Sequence, residues 1–216
     1  MHSPDHHDHG HDHDHDHTPI TEEDEPLTEA RVLEQALREL LDEKGVITAA
    51  QVARQIDIQD SKTPALGAKV VAKAWTDSDF KQRLLKDPLK TINKDFGLQI
   101  STPLELVVLE NTSDVHNVVV CTLCSCYPRM LLGIPPAWYK STDYRSRVVM
   151  EPRAVLREFG LDLSEQIQVR VSDSTADIRY LVLPMRPPGT EKMTLDELEP
   201  LVTRDTMIGT AVPVLE

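Results

Sequence analysis

All three cysteines of this 216-residue chain lie within six positions, as Cys121, Cys124 and Cys126. Three consecutive valines precede them and Tyr127-Pro128 follows them, which predicts a loop at the end of a buried strand. An odd number of clustered thiols does not make a disulfide framework. The spacing therefore predicts a site for one metal ion, which the rest of the fold has to support.

Other uses of three neighbouring thiols fit the sequence less well. A disulfide between Cys124 and Cys126 would close a strained ring. A structural zinc site needs four ligands and an iron–sulfur cluster usually needs a fourth cysteine. We expect His116, on a predicted strand, to point elsewhere. An unliganded thiol triplet stays open as an alternative, although thiols with a lowered pKa oxidise readily when left bare.

Backbone nitrogens complete the predicted metal site. The amides of Ser125 and Cys126 lie between two of the thiols, so each could form a small chelate ring after losing its proton. Amide deprotonation requires a strong Lewis acid, which favours trivalent iron or cobalt over zinc. Five protein ligands leave one position open, and an open position is typical of a catalytic metal site.

Charge and hydropathy exclude several classes of function. The formal net charge of -13 disfavours nucleic acid and anionic membranes as partners. No apolar run approaches the roughly 18–20 residues of a membrane span, and the polar start does not resemble a signal peptide. With three clustered thiols that form no disulfide framework, these features predict a cytoplasmic protein.

Composition divides the chain into three predicted segments. Residues 1–25 hold eight of the nine histidines, interspersed with aspartates, and predict a disordered tail that either collects metal ions or has no dedicated function. Residues 26–95 show helical spacing of apolar residues and predict a helical arm that could lie on a partner chain. Residues 96–216 are the predicted catalytic metal-binding core.

Mixed strands and helices in the core predict the α+β class. Strands are expected at residues 104–109, 117–120, 166–171 and 179–183, the last two in one sheet. Helices are expected at residues 152–159 and 195–203, and a final strand at residues 207–214.

The sequence around the cysteines resembles the metal-binding motif of the nitrile hydratase alpha subunit. The resemblance extends from about residue 65 to the C-terminus, and its matching segments include residues 66–77, 110–112, 132–136, 138–140, 144–149, 151–153, 186–190, 202–204 and 208–209. So many segments are far more specific than one motif. The resemblance implies a core built as a layered α/β/β/α sandwich.

The resemblance also implies roles for individual residues. The metal ligands would be the sulfur atoms of Cys121, Cys124 and Cys126 and the amide nitrogens of Ser125 and Cys126. Cys124 corresponds to a cysteine oxidised to sulfinic acid, and Cys126 to one oxidised to sulfenic acid. Thr122 matches the cobalt type of the family, which implies Co(III) in preference to Fe(III).

Hydration of a small nitrile to an amide is the reaction that the resemblance implies. Cys126, as a sulfenate, would act as nucleophile or base, and the Ser125 hydroxyl would hydrogen-bond into the site. Arg179 corresponds to an arginine that orients the oxidised cysteines, although an ordinary arginine on a strand surface is an equal alternative. Arg129 and Trp138 are candidates for the substrate pocket.

Family members work with a beta subunit whose two arginines hold the oxidised sulfur atoms. The resemblance therefore implies that this chain is one half of a heterodimer, with α2β2 as a further option and a cobalt activator protein as a further partner.

Arg129 stands where nitrile hydratases generally carry tryptophan. The related thiocyanate hydrolase gamma subunit has arginine there and a similar His/Asp-rich N-terminus, and an arginine would favour an anionic substrate. Conversion of thiocyanate to carbonyl sulfide and ammonia is therefore the alternative function. A third hypothesis is a non-catalytic carrier, in which the tail and the cysteines pass cobalt to another enzyme.

Overall fold

A computed structural model describes residues 28–215, so the predicted tail at residues 1–25 lies outside the described residues. Contacts divide the chain into two units, Met1–Val46 and Ile47–Glu216. The described part of the first unit contains helix α1 (Glu29–Glu43), which begins where the Thr28 hydroxyl accepts a hydrogen bond from the Arg31 amide. This helix buries none of its residues.

The described part of the second unit mixes helices and strands, as predicted. Its helices are α2 (Ala49–Asp60), α3 (Ala65–Thr76), α4 (Ser78–Lys86), α5 (Pro88–Phe96), α6 (Arg129–Leu132), α7 (Ala137–Lys140), α8 (Thr142–Met150), α9 (Pro152–Glu158), α10 (Leu195–Leu198) and α11 (Arg204–Ile208). Its strands are β1 (Glu105–Glu110), β2 (Val115–Val120), β3 (Gln168–Asp173) and β4 (Ile178–Leu183). A short 3-10 turn, Glu199–Leu201, follows α10.

The four strands form two separate parallel pairs. β1 pairs with β4, and β2 pairs with β3. The prediction that residues 166–171 and 179–183 share one sheet is therefore wrong. Residues 174–177 connect β3 to β4 and are too few for a parallel crossover, so the two strands could be neighbours only in an antiparallel hairpin, whereas each pairs in parallel with an earlier strand instead. The chain instead passes from one pair to the other.

The core lies around β2, which is buried from His116 to Val120. Helix α3 presents a face of small and β-branched residues, including Ala68, Val70 and Val71, to the same core. Helices α4 and α5 add Phe80, Leu84 and Ile92. The second unit thus begins at Ile47 and includes α2–α5, whereas α1 belongs to the first unit. The three-segment functional division stays a prediction.

The C-terminal part differs from the sequence-based expectation. The predicted strand at residues 207–214 is wrong, because Met207 and Ile208 close the helical turn α11 and no described residue after them forms a strand. That turn ends at Gly209, where φ is +93°. The helix expected at residues 195–203 is the short α10 followed by the 3-10 turn. None of the described helices combines the length and the apolar character needed to cross a membrane.

Candidate metal centre

The cysteines lie in a loop that leaves the buried end of β2. Cys121 follows the last strand residue and is 1% exposed, while Cys126 is half-buried and Cys124 is exposed. The sulfur of Cys124 lies 3.4 Å from that of Cys121 and 3.2 Å from that of Cys126. All three sulfur atoms lie within 4.8 Å of one another. All three thiols are free, so one ion could contact them together.

Hydrogen bonds that involve side chains hold the shape of this loop. The amide of Cys124 donates to the sulfur of Cys121 over 3.3 Å. The hydroxyl of Tyr139 donates to the carbonyl oxygen of Cys126 over 2.9 Å. Asp173 accepts two hydrogen bonds from Thr122. The loop is therefore held at its beginning and at its end.

The two more accessible thiols, Cys124 and Cys126, have different acidities. Hydrogen bonds with the thiols of Cys126 and Cys121 lower the pKa of the Cys124 thiol. Burial, reinforced by the neighbouring thiols, raises the pKa of Cys126 to about 12, and the positive charge of Arg179 opposes that rise. Of these two thiols, Cys124 therefore loses its proton first, and a thiolate is the form that binds metal.

An open depression of about 310 Å³ lies beside the thiols. It is lined by Leu104, Cys124, Ser125, Cys126, Tyr127, Arg129, Met130 and Arg179. The guanidinium of Arg179 donates to the carbonyl oxygens of Ile178 over 3.0 Å and Ala176 over 3.3 Å. Hydrogen bonds to the backbone at the start of β4 therefore hold the Arg179 side chain in place.

A larger cavity of about 580 Å³ lies near Trp75, Lys81 and Arg186. It contains none of the predicted site residues. Its charged groups are already engaged, because Lys81 pairs with Glu110 and Arg186 bonds to backbone and side-chain oxygens. The smaller depression is the better candidate, because it combines thiols with an opening to solvent.

The structure brings most of the predicted site residues together. Ser125, Arg129 and Arg179 line the same depression as Cys124 and Cys126. Trp138 is not among the residues that line it. Its ring packs against Phe159 and Tyr144, with centroids 4.7 and 4.9 Å away, which is the arrangement of a core aromatic residue.

His116 points away from the sulfur atoms, as expected. Its ring is buried between the Asn111 side chain, 3.2 Å away, and the Gly209 carbonyl oxygen, 2.7 Å away. Among the described residues, no histidine or carboxylate joins the three cysteines as a fourth side-chain ligand. The donor set therefore does not suit structural zinc, which takes four ligands. Sulfur donors do suit a first-row transition metal.

Residues that hold the loop were missed in the sequence. Tyr139 and Arg145 lie inside segments that match the family, so those matches were a signal that could have drawn attention to them. Asp173 is 51 positions from Thr122, the residue it contacts. No local pattern connects that pair.

The chain is similar to known proteins in sequence and in fold. The family model described as "Nitrile hydratase, alpha chain" matches residues 28–211. A nitrile hydratase subunit alpha from Rhodococcus sp is 51% identical over 177 residues, which cover 81% of this chain and 88% of the relative. The alpha subunit of a low-molecular weight cobalt-containing nitrile hydratase from Rhodococcus rhodochrous is 48% identical, with 83% and 86% covered.

Thiocyanate hydrolase is also among the relatives. Its gamma subunit from Thiobacillus thioparus is 44% identical over 200 residues, covering 88% of this chain and 82% of the relative. A solved recombinant thiocyanate hydrolase with partially modified cobalt centres matches with a TM-score of 0.80 at 42% identity, covering 88% of this chain and 92% of the other.

A solved structure of an iron-type enzyme is also similar to this chain. A double mutant of the Fe-type nitrile hydratase from Comamonas testosteroni Ni1 matches with a TM-score of 0.79 at 43% identity, covering 86% of this chain and 92% of the other. These matches confirm the resemblance found in the sequence and the α+β fold class. The chain belongs to the nitrile hydratase alpha-chain family.

Proposed function

We propose that this chain is the alpha subunit of a cobalt-dependent nitrile hydratase, which adds water to the carbon–nitrogen triple bond of a small nitrile and forms an amide. The convergence of three sulfur atoms within 4.8 Å, beside an open depression, is the observation that carries the proposal. The sequence of the chain, which is about half identical to those of nitrile hydratase alpha subunits, supports the same proposal.

Cobalt is the metal that we propose, held by the sulfur atoms of Cys121, Cys124 and Cys126 and by the amide nitrogens of Ser125 and Cys126. Relatives named as cobalt-containing support this choice. Iron is the second choice, because one structural match is of the Fe type. The trivalent state follows from the strong Lewis acid that amide nitrogen ligands require. When bound, the metal supplies a Lewis acid for the nitrile or for water.

Oxidation of two cysteines is part of the proposal. Cys124 would gain two oxygen atoms and become a sulfinic acid, and Cys126 would gain one and become a sulfenic acid, with dioxygen or a peroxide as oxidant. The exposure of Cys124 and its lowered pKa support its reactivity, because oxidation follows thiolate character and access.

The residues around the depression would each have a separate role in the reaction. The sulfenate of Cys126 would act as a base toward water, whose oxygen then bonds to the nitrile carbon while its two protons reach the nitrogen. Alternatively, it would act as a nucleophile, so that its own oxygen bonds to the carbon and water afterwards supplies the oxygen and protons that release the amide and restore the sulfenate. The Ser125 hydroxyl hydrogen-bonds within the site. The positive charge of Arg179 orients the oxidised cysteines, and its lining of the depression beside Cys126 supports this role. Trp138 supports the pocket only indirectly, through the aromatic core.

A beta subunit is the partner that we propose, in a heterodimer or an α2β2 assembly. The side chain of Leu123, in the middle of the cysteine loop, is 86% exposed, and a partner would cover it. Helix α1 carries the exposed apolar residues Val32, Leu33, Leu37 and Leu40, which suit the proposed arm at residues 26–95. Residues 96–216 would be the catalytic core.

Metal loading and location in the cell are also part of the proposal. A cobalt activator protein would load the metal, the tail at residues 1–25 would assist by collecting it, and the chain would work in the cytoplasm, where thiols stay reduced until they bind metal.

Thiocyanate hydrolysis is the second candidate function. The side chain of Arg129 lines the depression together with Arg179, and two guanidinium groups would attract a small anion. The 44% identity to a thiocyanate hydrolase gamma subunit supports the same candidate. Nitrile hydration stays first, because the alpha subunits of nitrile hydratases are more similar to this chain.

A comparison of substrates tests the proposal. The chain is produced with its partner subunit and cobalt, and acrylonitrile and thiocyanate are assayed side by side. Amide from acrylonitrile without turnover of thiocyanate supports nitrile hydration. Ammonia and carbonyl sulfide from thiocyanate would reverse the order of the two candidates.

The carrier hypothesis needs its own measurement. A carrier would release cobalt quickly to a chelator and keep unmodified thiols. An enzyme of the proposed kind would release it slowly, and mass spectrometry of the peptide with Cys124 and Cys126 would show three added oxygen atoms. Unmodified thiols in active, cobalt-loaded protein would contradict the proposed oxidation of Cys124 and Cys126.

A further inference from the structure

We propose that Asp173 and Arg145 are positioning residues, which clamp Thr122 at its amide and at its carbonyl group and keep the cysteine loop in its metal-binding shape. The inference deepens the proposed function and rests on it only in taking the three cysteine sulfurs as metal ligands.

Strand pairing brings Asp173 to the loop. β2 and β3 stay in register to their last residues, so that Val120 lies opposite Asp173. The amide of Ser174 donates to the Val120 carbonyl over 2.7 Å and continues this pairing. The Asp173 carboxylate is thereby placed beside the first peptide after Cys121. Its position is a consequence of sheet register and not of the loop's own sequence.

Both oxygen atoms of that carboxylate are used. One accepts a hydrogen bond from the Thr122 amide over 2.9 Å, and the other accepts one from the Thr122 hydroxyl over 2.6 Å. A carboxylate that accepts two hydrogen bonds from one residue fixes its orientation as well as its position, and bonds to a charged acceptor are stronger than neutral ones.

Arg145 holds the carbonyl side of Thr122, in the next peptide along the chain. Its guanidinium donates to the carbonyl oxygens of Thr122 over 3.4 Å and Cys124 over 3.5 Å. The side chain is itself anchored on helix α8, where its Nε donates to the Ser141 carbonyl oxygen over 3.3 Å. The Cys124 carbonyl belongs to the peptide whose nitrogen is that of Ser125, so this contact reaches the backbone of a proposed ligand.

Packing does little to hold this part of the chain. Leu123 and Cys124 are exposed, so the middle of the loop gains nothing from the hydrophobic core. A loop without packing loses its shape unless hydrogen bonds restrain it, because conformational entropy favours many alternative shapes. The Asp173 and Arg145 contacts are such restraints between Cys121 and Cys124. They would bring the sulfurs together before the metal arrives.

Cobalt retention tests the clamp. The full chain is produced with its partner subunit and cobalt as wild type, Asp173→Ala, Thr122→Val, the double variant and Arg145→Met. Cobalt per chain and the rate of cobalt transfer to EDTA are measured. Asp162→Asn and Arg170→Met are matched controls, because both change an exposed charge with no contact to the loop.

We expect Asp173→Ala and Arg145→Met each to release cobalt about tenfold faster, since each loses hydrogen bonds to a charged group. Thr122→Val keeps the hydrogen bond from the backbone amide to Asp173, so this variant should release cobalt about threefold faster than wild type. The double variant should be no faster than Asp173→Ala, because the hydroxyl then has no partner to lose. The two controls should match wild type.

Release at the wild-type rate from folded Asp173→Ala and Arg145→Met proteins would overturn the clamp. Multiplied effects of Thr122→Val and Asp173→Ala would also overturn it, because the two groups would then act separately. If Asp173→Ala does not assemble, Asp173→Asn replaces it; this variant keeps one oxygen for the Thr122 amide and loses the negative charge, so we expect release about threefold faster than wild type, and release at the wild-type rate would overturn the clamp. Thermal unfolding of the metal-free complexes distinguishes loop release from general destabilisation. Failure of the wild type to hydrate any nitrile would contradict the proposed function and leave the release comparison valid.

Discussion

The hydroxyl of Tyr139 donates a hydrogen bond of 2.9 Å to the carbonyl oxygen of Cys126. The tyrosine is fully buried, and burial raises its pKa above the ordinary range, so the hydroxyl keeps its proton. Its ring lies edge-on to Tyr127, with centroids 5.2 Å apart. The last cysteine of the loop is therefore tied to the aromatic core.

Replacement of Tyr139 by phenylalanine tests this tie. The change leaves the ring in place and removes the donor, so we expect the free energy of unfolding to fall by about 1–2 kcal/mol. In the metal-free protein, the thiol of Cys126 should also react faster with a disulfide reagent, because its backbone has lost a restraint. Denaturant unfolding and thiol labelling with peptide mapping measure the two effects.

Tyr144→Phe is the matched control. The Tyr144 hydroxyl is buried in the same aromatic group and donates to the Val119 carbonyl over 2.8 Å, within β2 and before the loop. We expect a similar loss of stability without faster labelling of Cys126. Equal labelling rates in the two variants would contradict a specific role for Tyr139.

Gly97 and Gly209 both have positive φ, and alanine substitutions at the two positions distinguish the cost of backbone strain from the cost of close packing. At Gly209, where φ is +93°, a Cβ atom would lie 2.0 Å from the Asn117 carbonyl oxygen. At Gly97, where φ is +64°, a Cβ atom would meet nothing within 4 Å. Gly97→Ala should therefore cost about 1–2 kcal/mol, and Gly209→Ala more than about 4 kcal/mol, because β2 would have to move.

Thermal and denaturant unfolding of the two variants check this difference. Similar losses at both positions would mean that α11 can shift away from β2 at little cost.

The sequence predicted those parts of the molecule that depend on neighbouring residues. The strands at residues 104–109 and 117–120 are apolar runs bounded by turn residues, and both are present within one or two residues. The convergence of the cysteines is equally local. Helices α6 and α7 have four residues each, too few to show a helical period, and they were not predicted.

Long-range pairing explains the remaining differences. The partner of each strand depends on how the two parallel pairs assemble, which alternation of apolar residues within one strand does not show. Asp173 reaches Thr122 only because β3 pairs with β2 in one register. The residues 207–214 looked like a strand because they are apolar, yet a helical turn buries Met207 and Ile208 just as well.

Arg129 is the residue that we expect to influence the choice between the two substrates. Its side chain is exposed at the depression, so Arg129→Trp removes a cation without disturbing the core. We expect nitrile turnover to stay within about threefold of wild type, because a neutral nitrile gains little from a solvent-screened charge. Any thiocyanate turnover should fall at least about tenfold.

Steady-state rates with both substrates, at low and high salt, measure the effect. Thiocyanate turnover that survives Arg129→Trp would contradict the proposed role of the arginine. Arg170→Trp is the control for adding an indole at an exposed position away from the depression.

A pH dependence of stability follows from the environment of His116. The Asn111 side chain uses its oxygen for the Asn117 amide, 2.8 Å away, so its amino group faces the histidine ring and donates to Nδ1. The Nε2–H group donates to the Gly209 carbonyl oxygen over 2.7 Å. The neutral ring satisfies both contacts, whereas a second ring proton would point at an amino group.

Burial accordingly lowers the pKa of His116, although the Gly209 carbonyl opposes this shift. The unfolded chain, with an ordinary pKa of about 6.5, binds the proton more readily than the folded one. Stability from this group is therefore complete above pH of about 6.5 and is lost as the pH falls below it, by at most about 1.4 kcal/mol per pH unit. Denaturant unfolding between pH 5 and 8 measures this slope.

His116→Gln is the variant that isolates the effect, because a glutamine amide can replace both hydrogen bonds and does not titrate. Asp205, whose pKa is raised by burial, contributes a slope of the opposite sign in more acidic solution, and the other eight histidines lie in residues 2–17. Both contributions are shared by wild type and variant, so they cancel in the difference. We expect that difference to grow as the pH falls from 6.5 to 5. A difference that stays constant over this range would mean that His116 takes up a proton without leaving its pocket.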